Sequence, residues 1–145
     1  MQPKLKRILS ILFLPFGVGA CVNIGGVENG KSYHCVGLTQ PINPPDVAYK
    51  IIPVEKFEYG SYQRENTPTV GGSYYCSQLI VPDSAYLRYR LDGRVVEKRF
   101  DLSMLKKRRI VNKTVEFLVI NDKVELRLIT SVLGGFPRYE TISIK

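Results

Sequence analysis

The chain has 145 residues, of which 44% are hydrophobic and 23% are charged, with 12 glycines and nine prolines. This balance is typical of one globular domain and excludes a collagen, a disordered tail and a multi-pass membrane protein. The 21 basic and 13 acidic residues give a net charge of +8, and the single histidine excludes a metal site built from several histidines.

Residues 1–20 have the order of features that is typical of a secretory signal peptide. Lys4, Lys6 and Arg7 form a positive start without an acidic residue, and the apolar run 8–16 follows. That run is far shorter than the roughly 20 residues that a membrane-spanning helix needs. We therefore predict that residues 1–20 are a targeting segment that does not belong to the folded domain.

The end of this segment, Val18–Cys21, resembles the lipobox of bacterial lipoproteins, in which small residues precede a cysteine that becomes lipidated. The resemblance implies that Cys21 is the first residue of the mature chain and carries several acyl chains, which anchor firmly where one does not. Residue 22 is Val rather than the Asp that retains such lipoproteins in the inner membrane. In a cell of the enteric type, the implied location is the periplasmic face of the outer membrane; an ordinary signal peptide with a chance cysteine is the alternative.

Cys35 and Cys76 are the two cysteines that remain after Cys21 is assigned to the anchor. Because the periplasm is oxidising, they are predicted to form a disulfide. Two buried free thiols, or a reactive thiol beside His34, are the alternatives. His34 and Cys35 are neighbours on an extended chain, however, and such neighbours point to opposite faces of a sheet.

Residues 21–32 are predicted to be a lipidated tether, since Gly25, Gly26 and Gly30 make the segment glycine-rich. Residues 33–145 are predicted to be a single β domain. Loss of residues 1–20 with their three basic side chains lowers the net charge of the mature chain to +5.

Strand patterns follow in chain order through the predicted domain. Val47, Tyr49 and Ile51 alternate with polar or small residues, 74–81 is a β-prone run that ends before Pro82, and 139–144 is the final strand. Residues 101–110 have room for one short helical turn.

Two hairpins are predicted in detail, from turns at Asp92-Gly93 and Asn121-Asp122. Counting outward from each turn sorts apolar side chains against apolar ones and acids against bases, which supports the register. The predicted pairs are Tyr89–Val96, Arg88–Glu97 and Ala85–Phe100 in the first hairpin, and Val119–Val124, Phe117–Leu126, Val115–Leu128 and Glu116–Arg127 in the second. About seven short strands with turn signals indicate an all-β fold, a small antiparallel sandwich or a partly open barrel.

The sequence has no Gly-x-Ser-x-Gly motif, no phosphate-binding loop and no paired histidines. Asp92, Asp101 and Asp122 are interpreted as turn or strand-end residues. We therefore predict a protein that is not an enzyme and that needs no cofactor or metal.

The densest charge cluster is the run Lys106, Lys107, Arg108 and Arg109. It is predicted to be either a solvated loop or a contact surface for anionic lipid, lipopolysaccharide phosphates or an acidic protein. Nucleic acid is the usual partner of such runs, but an exported domain would not meet it.

A second candidate surface comes from four tyrosines around the polar, glycine-rich stretch 60–73, namely Tyr59, Tyr62, Tyr74 and Tyr75. Core packing is one interpretation. The other is protein recognition, because tyrosine offers a large contact area at a small entropy cost.

The stretches Gly72–Cys76, Val81–Ser84, Tyr89–Gly93 and Phe100–Leu102 resemble a group of small periplasmic lipoproteins that serve as type VI secretion immunity proteins. The resemblance covers roughly residues 70–130 and implies a protein that neutralises an incoming toxin by binding it, with no catalytic residue. The alternative is a structural or assembly lipoprotein of the outer membrane that binds another envelope component. A lysozyme inhibitor is disfavoured, because lysozymes are usually basic and would repel a chain of net charge +5.

Overall fold

The structure is a computed structural model that describes residues 27–28, 30–41, 51–68 and 73–144. These residues form ten strands and one short helix. The elements are β1 (Val27–Glu28), β2 (Lys31–Thr39), β3 (Pro53–Tyr59), β4 (Tyr62–Pro68), β5 (Ser73–Leu79), β6 (Ser84–Leu91), β7 (Arg94–Asp101), α1 (Ser103–Lys106), β8 (Lys113–Ile120), β9 (Lys123–Thr130) and β10 (Arg138–Ile142).

The strands form two packed sheets that do not close into a barrel, which confirms the all-β sandwich. The larger sheet has β8, β9 and β10 in order on one side of β2, and β5 on the other; the two-residue β1 also pairs with β2. The smaller sheet has the order β4-β3-β6-β7. Most neighbouring strands are antiparallel, but β2 and β8 are parallel, which the sequence pattern did not indicate.

Both predicted hairpins are present in the predicted register. All three predicted pairs between β6 and β7 and all four between β8 and β9 are observed. Asp92 and Gly93 both have positive φ angles, 52° and 77°, as the tightest two-residue hairpin turns require. Turn chemistry and side-chain alternation together therefore determine these two units locally.

The core lies between the sheets and is built from the inward-facing residues of each strand. Phe117 on β8 is its aromatic centre, with ring centroids 5.1 Å from Phe57, 5.4 Å from Phe100 and 6.3 Å from Tyr59. These three partners belong to the smaller sheet, so the Phe117 ring connects the two layers. The buried hydrophobic residues of the described chain all lie between Val36 and Ile142.

The structure differs from the sequence-based expectation in its first half. β1 and the start of β2 lie within 21–32, the predicted tether, and pair Val27 with Ser32. The hairpin of β3 and β4 also had no counterpart in the prediction, because charged residues alternate on its outer side with few apolar ones. The predicted strand around Val47 and Tyr49 lies outside the described residues.

The two ends of the sandwich are unlike each other. Leu102 donates a backbone hydrogen bond to Asp83, and Asn112 donates one to Tyr33, which brings α1 and the loop after it against the starts of β2 and β6. The α1 end comprises Gly30, the turn 60–61, the connection 80–83, α1, the loop 107–112 and the β9–β10 loop 131–137. The opposite end, the turn end, comprises the hairpin turns 92–93 and 121–122.

Candidate partner-binding surface

Strand β5 lies at an edge of the larger sheet. Among the described residues it pairs with β2 alone, from Ser32–Leu79 to Leu38–Ser73. An edge strand of seven residues presents backbone donors and acceptors that can pair with a strand from another chain. β5 is therefore one candidate contact for a protein partner, as are the other edge strands β10, β4 and β7.

A disulfide holds this edge in place. Cys35 on β2 and Cys76 on β5 are direct register partners with Cα atoms 4.0 Å apart, and their sulfurs are bonded. The prediction of this disulfide is confirmed. Because the bond joins the middle of β5 to its only described neighbour, the edge strand cannot separate from the sheet while the disulfide is intact.

His34 faces away from the disulfide, into the core, as its alternation with Cys35 predicts. Its Nδ1 lies 2.9 Å from the carbonyl oxygen of Ser32 and its Nε2 lies 3.0 Å from the hydroxyl of Tyr59. A carbonyl only accepts, so Nδ1–H donates to Ser32 and the neutral Nε2 accepts from Tyr59. Burial lowers the pKa of His34, although the Ser32 hydrogen bond opposes this. The histidine is thus a neutral connection between the sheets.

Tyr74 lies on the outer face of β5 and crosses over a glycine of β2. A Cβ atom at Gly37 would lie 2.1 Å from Cδ1 of the Tyr74 ring, so only glycine permits this position. The Tyr74 hydroxyl donates to Oε1 of Glu116 at 2.9 Å. Partial burial and this hydrogen bond raise the pKa of Tyr74 to about 12. The ring is therefore fixed against the sheet while 43% of the residue stays exposed.

Glu116 on β8 organises the outer face of the larger sheet. It is buried, and its Oε1 also accepts from the Thr39 hydroxyl at 2.9 Å. Its Oε2 accepts from Nε and Nη2 of Arg127 at 2.7 and 2.5 Å. The guanidinium of Arg127 in turn lies 5.0 Å from the centre of the exposed Tyr139 ring. We call Tyr74, Gly37, Glu116, Arg127 and Tyr139 the polar row; it crosses five strands.

The other face of β5 carries Tyr75, which stacks on Tyr62 at the start of β4. Their ring centroids are 4.5 Å apart and their planes differ by 2°. Tyr62 also contacts Phe57 edge-on at 6.2 Å, which connects the stack to the core. Tyr62, Tyr74 and Tyr75 form what we call the tyrosine edge. Three of the four predicted tyrosines thus come together around the disulfide-held strand.

Tyr59, the fourth tyrosine, does not belong to this surface. Its exposed fraction is 0%, and its hydroxyl bonds to His34 inside the sandwich. Burial raises its pKa far above the ordinary value. The pairing of β3 with β6 has a register shift between Val54 and Lys56, and beyond it every second residue, Phe57 and Tyr59, faces the core as Val54 does before it. Tyr59 therefore faces inward. The correction removes it from the candidate binding residues.

The basic run lies at the α1 end and is partly used inside the molecule. Lys106 forms an ion pair with Asp83, and Arg108 forms one with Glu140 on β10. Lys107 and Arg109 are exposed and have no ion-pair partner among the described residues. The run borders a cleft of about 320 Å³ that is also lined by Ile80, just beyond the end of β5. Among the described residues, two of the four predicted basic residues are therefore in ion pairs and two are not.

Sequence reasoning found the Glu116–Arg127 pair but missed the polar row. Gly37 in the middle of a strand was the available signal, because glycine there often marks the close approach of another group. The group that approaches, Tyr74, lies 37 residues further along the chain and was not identifiable without the pairing of β2 with β5.

Two further observations concern the described part of the chain. It contains no cluster of three or more His, Cys, Asp or Glu side chains that could hold a metal ion. It also contains no helix that is long and apolar enough to cross a membrane. The predicted signal peptide and the predicted lipidation site Cys21 lie outside the described residues.

Comparisons of the chain with protein-family models, with curated proteins and with solved structures found no match.

Proposed function

We propose that this chain is a periplasm-facing, lipid-anchored protein that binds an incoming toxin and neutralises it. The observation that carries the proposal is the tyrosine edge. Its strand is bonded covalently to β2, and Tyr74 and Tyr75 are each held by a specific contact while about two fifths of each residue stays exposed. A rigid aromatic surface of this kind loses little conformational entropy when a partner binds.

The mechanism is occlusion. Among the described residues β5 pairs with β2 alone, so its other edge offers backbone hydrogen-bonding groups to a strand or loop of the toxin. The tyrosines on the two faces of β5 then fit into pockets of the toxin on either side of that strand or loop. Tyrosines in such positions frequently dominate binding energy. A binder of this kind covers the toxin's active site without reacting with it.

A protection assay tests the proposal. Cells that export the chain should survive attack by a toxin-secreting competitor, and a double variant Tyr74→Ala, Tyr75→Ala should lose that protection. With the purified toxin, the double variant should bind at least roughly thirtyfold more weakly, the effect of losing one strong contact residue.

Tyr86→Ala is the matched control, because Tyr86 is also partly exposed but lies on the smaller sheet, where it contacts Arg99. It should protect as well as the wild type does. Equal protection by the double variant and the control would exclude the tyrosine edge as the toxin-binding surface.

A structural or assembly lipoprotein of the outer membrane is the alternative function. The open β5 edge fits an envelope partner as well as a toxin. The two functions separate in cells that meet no competitor: deletion of an assembly protein weakens the envelope there, whereas deletion of an immunity protein has no effect.

A further inference from the structure

The β9–β10 loop, residues 131–137, carries two large apolar side chains that the fold does not use. Leu133 and Phe136 are 105% and 93% exposed, higher than any other large hydrophobic residue described. A single exposed apolar side chain is ordinary, whereas two on one loop tip are a candidate interaction site.

The loop is a protrusion and not a groove. The backbone of Gly135 donates to the carbonyl of Val132 at 3.1 Å, and Gly134 has a φ of 70°, so the chain turns sharply between the two apolar side chains.

Basic side chains lie beside this tip. Thr130, the last residue of β9, pairs with both Lys113 and Arg138, so the loop leaves the sheet next to the start of β8 and the preceding loop 107–112. That neighbouring loop contains Lys107 and Arg109, the two residues of the basic run 106–109 that form no ion pair with another described residue. The α1 end therefore presents apolar groups and free positive charge together.

The chain reaches the fold at this same end. Val27 pairs with Ser32, and Gly30 lines the same cleft as Arg109. Five residues separate Cys21 from Val27, so the backbone of Cys21 can lie at most about 20 Å from that of Val27. This step rests on the lipid anchor of the proposed function, whereas toxin binding has no part in it.

We propose that the α1 end docks on an anionic lipid bilayer. Leu133 and Phe136 insert at the boundary between headgroups and acyl chains, while Lys107 and Arg109 contact headgroup phosphates. The strands run between the two ends of the sandwich, so docking directs the turn end away from the bilayer. The β5 edge then rises from the membrane with its tyrosines accessible from the side.

Tryptophan fluorescence tests the proposal, because the natural sequence has no Trp. Residues 21–145 with Cys21→Ser contain every described core residue and no acyl chain, so binding to vesicles reports the protein surface alone. In this background Phe136→Trp places a single tryptophan at the loop tip. Val95→Trp places one on an exposed strand position near the turn end as the matched control.

With vesicles of phosphatidylethanolamine and phosphatidylglycerol, the emission of the Phe136→Trp variant should shift to shorter wavelength, and that of Val95→Trp should not. Vesicles of phosphatidylcholine alone should give a much weaker shift. Lys107→Gln together with Arg109→Gln should weaken partitioning about twentyfold to thirtyfold, since each basic residue near an anionic surface contributes about fivefold. The remaining binding should decrease with added salt.

Three outcomes would overturn the proposal. One is an unchanged Phe136→Trp spectrum at saturating anionic vesicle; another is an equal shift at both probe positions. The third is a shift without vesicles accompanied by dimers in sedimentation, which would assign the loop tip to a second copy of the chain. Because no toxin is present, none of these outcomes bears on toxin binding.

Discussion

The two faces of the larger sheet are built from the same strands and yet serve different purposes. On the inner face, Val115, Phe117 and Val119 of β8 are completely buried against the smaller sheet. On the outer face, the intervening Glu116 connects Thr39, Tyr74 and Arg127 through a buried carboxylate. The inner face supplies most of the free energy of folding through apolar burial, whereas the outer face fixes the position of exposed aromatic rings.

The two faces of the larger sheet differ most clearly at two consecutive residues of β2. His34 points inward and connects the two sheets through Tyr59, while Cys35 points outward and bonds covalently to the edge strand. One strand thereby supports both the stability of the sandwich and the geometry of its edge. Substitutions on the two faces should therefore separate loss of folding from loss of binding.

The largest expected effect is on the inner face, at Phe117. Phe117→Ala removes the ring that contacts Phe57, Tyr59 and Phe100, and should lower the free energy of unfolding by about 4–5 kcal/mol, the upper part of the range for buried Phe. Denaturant unfolding of the wild type and the variant measures this loss of free energy. Phe136→Ala makes the same chemical change at an exposed site and should cost less than about 0.5 kcal/mol. Equal effects would show that Phe117 is not the centre of the core.

The second-largest expected effect is the loss of the disulfide that joins the edge strand β5 to β2. Cys35→Ala with Cys76→Ala opens a loop with a sequence separation of 41 and should lower the free energy of unfolding by about 3–4 kcal/mol in the chain-entropy account. The variant should also bind its partner more weakly than the loss of folded protein alone accounts for, because β5 is no longer held against β2. Reductant should destabilise the wild type by a similar amount and leave the double variant unchanged. A wild type insensitive to reductant under partly denaturing conditions would contradict the expectation.

A smaller loss of stability is expected from a substitution on the outer face of the larger sheet, at Glu116. Glu116→Gln removes the charge that faces Arg127 and weakens the acceptor for Tyr74, so the free energy of unfolding should decrease by about 2 kcal/mol, the contribution of a hydrogen bond to a charged group. Because the Glu116 hydrogen bond helps to raise the pKa of Tyr74 to about 12, that pKa should decrease in the variant. Titration followed by NMR of the Tyr74 ring resonances measures it.

Glu125→Gln is the control for this pair of measurements, since Glu125 lies on the same outer face, opposite Leu118, and is exposed. It should change neither the stability nor the pKa of Tyr74. If both variants behave alike, the polar row does not depend on the charge of Glu116.

The sequence predicted those parts of the fold that depend on local signals. The two hairpins followed from turns and alternation, and the disulfide followed from the compartment and the cysteine count. The parallel pairing of β2 with β8 joins residues almost eighty positions apart, and no local pattern specifies it. For Tyr59 the sequence left both core packing and protein recognition open, because composition does not show which face of a strand a tyrosine occupies.

The smallest expected effect is a pH dependence on the inner face. Burial lowers the pKa of His34 below the ordinary value of about 6.5, and its Nε2 must stay unprotonated to accept from Tyr59. Below about pH 6.5 the unfolded chain binds a proton at His34 that the folded chain does not. Stability should therefore decrease as the pH falls, by at most about 1.4 kcal/mol per pH unit until the folded-state pKa is reached.

His34 is the only histidine, so His34→Gln should remove this slope between pH 7 and pH 5.5, the range in which histidine normally titrates. Tyr59→Phe should keep the slope at a lower overall stability, because it removes the hydrogen bond and leaves the buried imidazole. Denaturant unfolding across this range distinguishes the cases. Identical slopes for the wild type and His34→Gln would show that the buried histidine takes up its proton as readily in the folded chain as in the unfolded one.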